Sequence, residues 1–453
     1  MTRIEEPLEN PMVERLFRYL NTSTCNFLAV DTVRDVLDNN GFRELREEDY
    51  WDIKPGDRCY VTKNGSAIFA FVAGMKPVSE TGVRVISAHT DSPCFKIKPN
   101  CEIYGDGGVV SLNVEKYGGG ILYTWFDRPL SISGRVMLAG TDPMHPVEFH
   151  IDLAEPIATI PHLAIHFNRA VNEGNPLSVQ KDMKPVVGYY SPEEIEEFRA
   201  KGGVIRSIIA DELRDMYDGL PEDFDGNDII DYELCLYPLE EAELVGANLE
   251  YFQSARIDDL SMAFAGLEAL VAECDSDCEA TRILALFDNE ETGSGTKQGA
   301  ASPVLRHLVE RLALAQTQNP QAAYMALARS FMISADDAHG WHPNYNEKYD
   351  PTNHSVLGGG PVVKINANCK YMTDAKGAAV FHTLCEEAGV QMQYFVNHAD
   401  VAGGSTLGNI SSSQLDIEGV DVGCAIWAMH SARETAAVSD HLDMIKVFRQ
   451  FLK

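Results

Sequence analysis

The chain has 453 residues, 45% of them hydrophobic, enough to bury a large core and build more than one domain. It carries 68 acidic against 37 basic residues, a formal charge of −31, and a field of that sign excludes nucleic acid and anionic membrane surfaces as partners. No apolar run approaches the length of a membrane span, and the acidic start MTRIEEPLENPMVERLF lacks the apolar centre of a signal peptide. The ten cysteines are scattered; the nearest pair, Cys274 and Cys278, has no matching second pair, so a structural zinc site is not expected there. Scattered thiols suit a cytoplasmic protein.

In chain order, VERLFRYL and AVDTVRDVLDNNGF place apolar residues at helical spacing, and Gly41 ends the second helix. CYVTKNGSAIFAFVAG reads as a hairpin around Asn64-Gly65, and VRVISAHTDS as a strand. From Cys94 to Pro238 short alternating runs such as SISGRVMLAG and VEFHIDL, with YGGG and many turn residues, predict a β-rich unit. Beyond NLEYFQSARIDDL, long helices alternate with apolar strands, as an α/β sheet requires. In that region LSMAFAGLEALVAE is expected to bury one face through positions 260, 264, 267, 270 and 271. The expected organisation is an α/β domain, residues 1–93 and 239–453, interrupted by an inserted β-rich domain, residues 94–238.

Four apolar runs end in residues that bind metals. VRVIS leads to His89 and Asp91, RILALF to Asp288, Glu290 and Glu291, SFMIS to Asp336 and Asp337, and GCAIWAM to His430. Sites in open α/β sheets form beyond the carboxyl ends of the strands, and two histidines with several carboxylates suit zinc or a similar divalent ion. Each signal alone is ordinary: a strand-end histidine is usually just hydrogen-bonded, Asp258-Asp259 reads locally as a helix N-cap, and Glu290-Glu291 as a solvated loop. Their joint occurrence favours a metal site. Adjacent glutamates then have a rationale, one binding the metal and the other accepting a proton from the attacking water. At extended spacing His89 and Asp91 point the same way, so Asp91 can fix the imidazole tautomer.

The motifs SAHTDSPCFKIKP, YGGGILYTWFDRPL, IPHLAIHFNR, SARIDDL, DNEETGS, SADDAHGWHPNY, GPVVKIN and MHSARE, in that order, resemble the M18 family of metalloaminopeptidases, the aspartyl aminopeptidases. The resemblance implies an α/β, phosphorylase/hydrolase-like metallopeptidase domain with a mixed sheet flanked by helices, and an inserted oligomerisation domain. It implies two Zn2+ per subunit, with Co2+ or Mn2+ as substitutes. His89, Asp258 and Asp336 would hold one ion, and Asp258, Glu291 and His430 the other; Glu290 would be the general base and Asp91 the residue orienting His89. His166 matches a histidine that reaches a neighbouring subunit's site, and Lys364 a lysine that meets the substrate's acidic side chain. His339 and His354 would line the pocket, and the GGST at 403–406 would be a loop of close backbone approach. The expected substrates are peptides with a free N-terminus, preferably Asp or Glu, and the expected assembly is a dodecamer.

Asp259 and Asp337 depart from the family pattern, which commonly has Asn and an apolar residue there, and some members prefer neutral N-terminal residues. An M20-type deacylase or carboxypeptidase is the alternative hydrolase; those usually insert their second domain after the ligand glutamates, whereas here the β-rich stretch falls between His89 and Asp258. A non-catalytic scaffold would lack a ligand or the base, and none is lacking.

Overall fold

The computed structural model describes residues 10–453, which divide into two compact units. The first comprises the chain to Ser92 with Ala242–Met429 and Arg433–Lys453; the second comprises Pro93–Glu241 with His430–Ala432. The division falls within a few residues of the sequence boundaries, except that the three residues 430–432 join the second unit.

The first unit is a nine-stranded mixed sheet with helices on both faces. Its strands run in the order Arg43–Glu44, Arg58–Lys63, Ala67–Val72, Thr281–Phe287, Val83–His89, Phe331–Ala335, Glu418–Gly423, Val362–Ile365 and Gln393–Val396. The four from Thr281–Phe287 to Glu418–Gly423 are mutually parallel, with Phe287 in register with His89 and Ser334 with Ser87, so their carboxyl ends open at one edge. Side-chain alternation explains the two helical layers. Leu284 and Leu286 enter one apolar core with helices Pro11–Thr22, Ile257–Glu273 and Val438–Leu452, while Ile283, Ala285 and Phe287 enter another with Val304–Gln316.

The local signals in the sequence act as expected at several points. Asn10 accepts the Met12 N–H at 2.9 Å, Pro11 opens the first helix, and Val13, Leu16, Tyr19 and Leu20 form its buried stripe. Asn64 and Gly65 both take positive φ between the paired strands, where Asn-Gly is best tolerated. Helix Ile257–Glu273 differs from its expected single apolar face, being buried around almost its whole circumference. It lies so close to the sheet that a Cβ on Gly266 would meet Leu284 Cδ1 at 2.6 Å. A second difference concerns GCAIWAM. Glu418–Gly423 stays in the central sheet, but the chain then leaves it, and Ala425–Trp427 joins a separate five-stranded sheet with Ala338–His339, Glu434–Ala437, Tyr251–Ser254 and Glu243–Val245. Three ligand-bearing runs therefore end at the central edge, not four.

The second unit is a six-stranded antiparallel sheet ordered Val147–Asp152, Leu130–Leu138, Ile229–Pro238, Cys94–Tyr104, Val109–Tyr117 and Val186–Tyr189, with its own apolar core. It also holds helices Pro192–Ala200 and Val204–Met216, which the β-rich reading missed; the capping box of Ser191 and Glu194 is the signal that marks the first. No helix among the described residues is long and apolar enough to cross a membrane.

His441, on helix Val438–Leu452, is buried with its ring 5.7 Å from Phe264, and neither ring nitrogen has a hydrogen-bond partner. Burial alone pushes its pKa down from 6.5 to about 3. A folded pKa below the unfolded one means that stability is complete above the unfolded value and is lost as pH falls from 6.5 toward 3. His441→Phe is expected to flatten that acid limb, removing about 2 kcal/mol of the stability lost between pH 7.5 and 5. Urea midpoints measured across that range check this, and parallel acid limbs would refute it.

Candidate active site

His89 closes strand Val83–His89 and is almost wholly buried. Its Nδ1 lies 2.9 Å from the Asp91 carbonyl oxygen and 3.3 Å from Asp91 Oδ1, which places the ring proton there and leaves Nε2 directed at Asp258 Oδ1, 3.5 Å away. The Asp91 carboxylate does more than orient the ring. Its two oxygens accept the backbone N–H groups of Glu290 and Glu291, both at 3.1 Å. One aspartate thus holds both the imidazole and the turn carrying the two glutamates. That turn, Glu290–Thr292, is flanked by Asn289 and Gly293 in left-handed conformations, which bend the chain sharply as it leaves strand Thr281–Phe287.

Asp258 and Asp259 do not act as an N-cap. Both have non-helical backbone angles, the peptide bond between them is cis, and the N-cap position is Arg256, whose side chain makes no capping bond. Arg256 instead donates to the carbonyls of Ser23 and Leu20, tying this turn to the end of the first helix. Asp258 N–H donates to Glu434 Oε2 at 3.0 Å, the Asp258 carbonyl accepts from Ser92 Oγ, and Asp259 Oδ2 accepts the His89 N–H at 3.1 Å. Asp337 accepts from Ser261 Oγ at 2.8 Å and from the Cys424 N–H at 3.2 Å. Glu434 and Ser92 are site residues that the sequence reading missed; each acts on the backbone of Asp258, a contact with no local signature.

His89, Asp258 and Glu291 each bring one ligand atom within 4.8 Å of the others, as do Asp258, Asp259 and Asp337. Asp336 lies at the same sheet edge, with its Oδ1 3.4 Å from Lys364 Nζ. His430 belongs to the second unit, where its carbonyl accepts the Ile121 N–H at 2.9 Å and its Nδ1 is 3.4 Å from the Gly119 carbonyl oxygen. Of the pocket candidates, His354 Nδ1 lies 2.8 Å from the Asp350 carbonyl oxygen and its ring 5.9 Å from that of Trp341, whereas His339 sits beside Phe395. His166 occupies an exposed turn of the second unit.

The residues present fit a bound cation. Burial disfavours a charged His89, yet the fields of Asp259, Asp258 and Asp91 hold its pKa well above 6.5. Burial, Asp336, Glu291 and Asp91 push Glu290 up to about 9, with His89 opposing them. Asp259 Oδ1 is buried with no hydrogen-bond partner. So many carboxylates withdrawn from water call for compensating positive charge, and imidazole with carboxylate is a donor set that zinc accepts.

The parallel strands of a mixed α/β sheet thus deliver histidine and carboxylates to one edge, a donor set suited to a metal-dependent enzyme of the α/β class. The chain matches the family model described as aminopeptidase I zinc metalloprotease (M18) across residues 19–452, and it belongs to that family. It is a metallo-aminopeptidase by that membership. It is 44% identical over 436 residues to the probable M18 family aminopeptidase 2 of Clostridium novyi (strain NT), covering 96% of this chain and 97% of that one. A solved structure of the Ape4 and Nbr1 complex superposes with a TM-score of 0.92 at 32% identity, covering 97% of this chain and 85% of that one. The mApe1 dodecamer of S. cerevisiae superposes at 0.83 with 25% identity, covering 97% and 95%.

Proposed function

We propose that the chain removes single residues from the free N-terminus of peptides using two divalent ions, preferably Zn2+, with Glu290 as general base. The observation that carries this reading is the convergence of His89, Asp258 and Glu291 beside a second glutamate on a turn held by Asp91. Asp336 and His430 are the further proposed ligands. When bound, the ions would supply a Lewis acid for the scissile carbonyl and bring the pKa of the attacking water toward ~7. Glu290 takes the proton from that water and passes it to the departing amine. Positive charge among the carboxylates opposes the fields that raise Glu290, so the base is ionised when it is needed. Asp91 sets the His89 tautomer and the approach of Glu290, while Glu434 and Ser92 hold the Asp258 backbone.

The preference for Asp or Glu at the N-terminus rests on the motif resemblance to aspartyl aminopeptidases. Assembly with other copies is supported by the dodecamer among the structural neighbours and by the second unit's loop 161–169, where Leu163, Ile165 and Phe167 are exposed beside His166. We assign that unit to assembly and His166 to a neighbouring copy's site.

The test is a panel of aminoacyl chromogenic substrates, with metal content measured on the same samples. Exhaustive chelation is expected to abolish hydrolysis, and Zn2+, Co2+ or Mn2+ to restore it, saturating at two ions per chain. Aspartyl and glutamyl substrates are expected to exceed leucyl and alanyl ones. Activity in a chain shown to be metal-free would overturn the mechanism, and preference for leucyl substrates would overturn the acidic specificity.

A further inference from the structure

The motif YGGGILYTWFDRPL contains a short 3₁₀ turn, Leu122–Trp125, bounded by Ile121 and Phe126. A 3₁₀ helix has three residues per turn, so side chains three apart share a face. Three faces result, and each meets a different part of the second unit. Leu122 and Trp125 turn into its apolar core, where the Trp125 ring packs edge-on against Phe95 with centroids 5.0 Å apart.

Ile121 and Thr124 form the face that holds the turn carrying His430. The Ile121 N–H donates to the His430 carbonyl at 2.9 Å. Thr124 Oγ1 donates its proton to the Ile121 carbonyl at 2.7 Å, which leaves its lone pairs to accept the Ala432 N–H at 2.9 Å. Ala432 itself is buried in the same core as Trp125. The fit extends to the preceding glycines, for a Cβ on Gly119 would stand 3.3 Å from His430 Nδ1.

Tyr123 and Phe126 form the third face and hold the stretch 161–175, which carries His166 and the exposed Leu163, Ile165 and Phe167. Phe126 stacks on the His162 ring with centroids 3.8 Å apart, and the Tyr123 hydroxyl donates to the Asn175 carbonyl. Asp127, next in the chain, accepts the His162 N–H at 3.0 Å and lies 2.7 Å from His162 Nδ1, while its own N–H donates to the Ile160 carbonyl. The stretch is thus fastened near both of its ends to one short segment.

We infer that the segment Ile121–Asp127 is a shared support that positions both His430 for cation binding and the stretch 161–175 for a neighbouring copy, so that metal binding and assembly are linked. This rests on the reading of His430 as a zinc ligand and of that stretch as an assembly element. The physical reason is that two faces of a four-residue turn share one set of backbone torsions, and the third face is locked into a close-packed core. A displacement at Ile121 and Thr124 therefore moves Tyr123 and Phe126 as well. Linkage is reciprocal: if zinc at His430 favours assembly, assembly favours zinc at His430.

The experiment measures zinc affinity of the full-length protein by competition with a fluorescent chelator, and its assembly by mass photometry across protein and zinc concentrations. Stripping zinc from the wild type is expected to weaken assembly by about 5-fold or more. Thr124→Val keeps the side-chain shape but removes the acceptor for Ala432, and is expected to weaken one zinc ion by about 10–100-fold. Although Thr124 makes its bonds on the His430 face, the variant should also dissociate more readily at limiting zinc and reassemble in excess zinc. Thr124→Ser retains the hydroxyl and should match the wild type in both measurements. Asp127→Ala loosens the root of the stretch and should weaken assembly and the same zinc ion together. Zinc-independent assembly of the wild type would overturn the inference, and this measurement needs no variant to fold. It would equally be overturned if Thr124→Val altered zinc affinity alone and Asp127→Ala altered assembly alone, since the two supports would then be independent. A wild-type chain that binds no zinc, or that stays monomeric under all conditions, would remove the underlying readings and the inference with them, an outcome seen before any variant is made.

Discussion

Glu290→Gln is expected to lower kcat by about 10²–10⁴-fold while zinc content stays at the wild-type level, because general-base catalysis is worth that much and glutamine keeps the shape of the side chain without its basicity. Glu291→Ala is expected to behave differently. Glu291 contributes to the cluster with His89 and Asp258, so its loss should appear first as a loss of metal. The two residues are adjacent on one short turn with near-identical intrinsic chemistry, and only their directions separate them. Metal analysis and single-turnover kinetics on both variants decide the matter. Equal metal content with equal rates would remove the distinction between base and ligand.

The second large effect is expected at Asp91, whose carboxylate holds the backbone of the proposed base and of its neighbour. Asp91→Ala leaves the Glu290 and Glu291 N–H groups without their acceptor, each at a cost of about 1–3 kcal/mol if it stays buried and unpaired. It also removes the carboxylate beside His89 Nδ1, although the Asp91 carbonyl remains at 2.9 Å. The expected outcome is a 10–100-fold fall in zinc affinity together with a fall in kcat that excess zinc does not fully restore, because the turn carrying Glu290 is loosened as well. Chelator competition and zinc titration of the rate check this. An Asp91→Ala chain that binds zinc as tightly as wild type and reaches its kcat would show that the turn holds its shape without this support.

Much of the candidate site was legible because its signals are short. A histidine two residues before an aspartate in extended chain, or two glutamates directly after an apolar run, lie within one stretch whose direction the strand itself sets. The Asn64-Gly65 turn, the Asn10 cap and the central parallel strands were readable for the same reason. Errors arose where a local pattern had two long-range outcomes. GCAIWAM has the texture of one strand-end motif, but after Gly423 the Cys424 N–H donates to the Asp337 carboxylate and the chain passes to another sheet. Helix Ile257–Glu273 shows an apolar stripe, yet helices and strands close around nearly all of it. The run carrying Lys364 suits an edge strand as well as a central one, and only the strands paired on both sides of it make it central.

By itself the sequence determined the α/β class, the interruption by a β-rich segment, the family, and the residue types gathered at the sheet edge, since periodicity, turn chemistry and strand-end ligands are written in neighbouring residues. Tertiary structure alone decided which carboxylates face one another, that Asp91 supports the Glu290–Glu291 turn, that Glu434 holds the Asp258 backbone across 176 positions, and that Lys364 meets Asp336 across 28. Those contacts depend on the burial and crossing of distant segments. A carboxylate or an ammonium looks the same in sequence whether it meets water, a backbone amide or another charge, and its role is set by which of these the fold leaves within hydrogen-bonding distance.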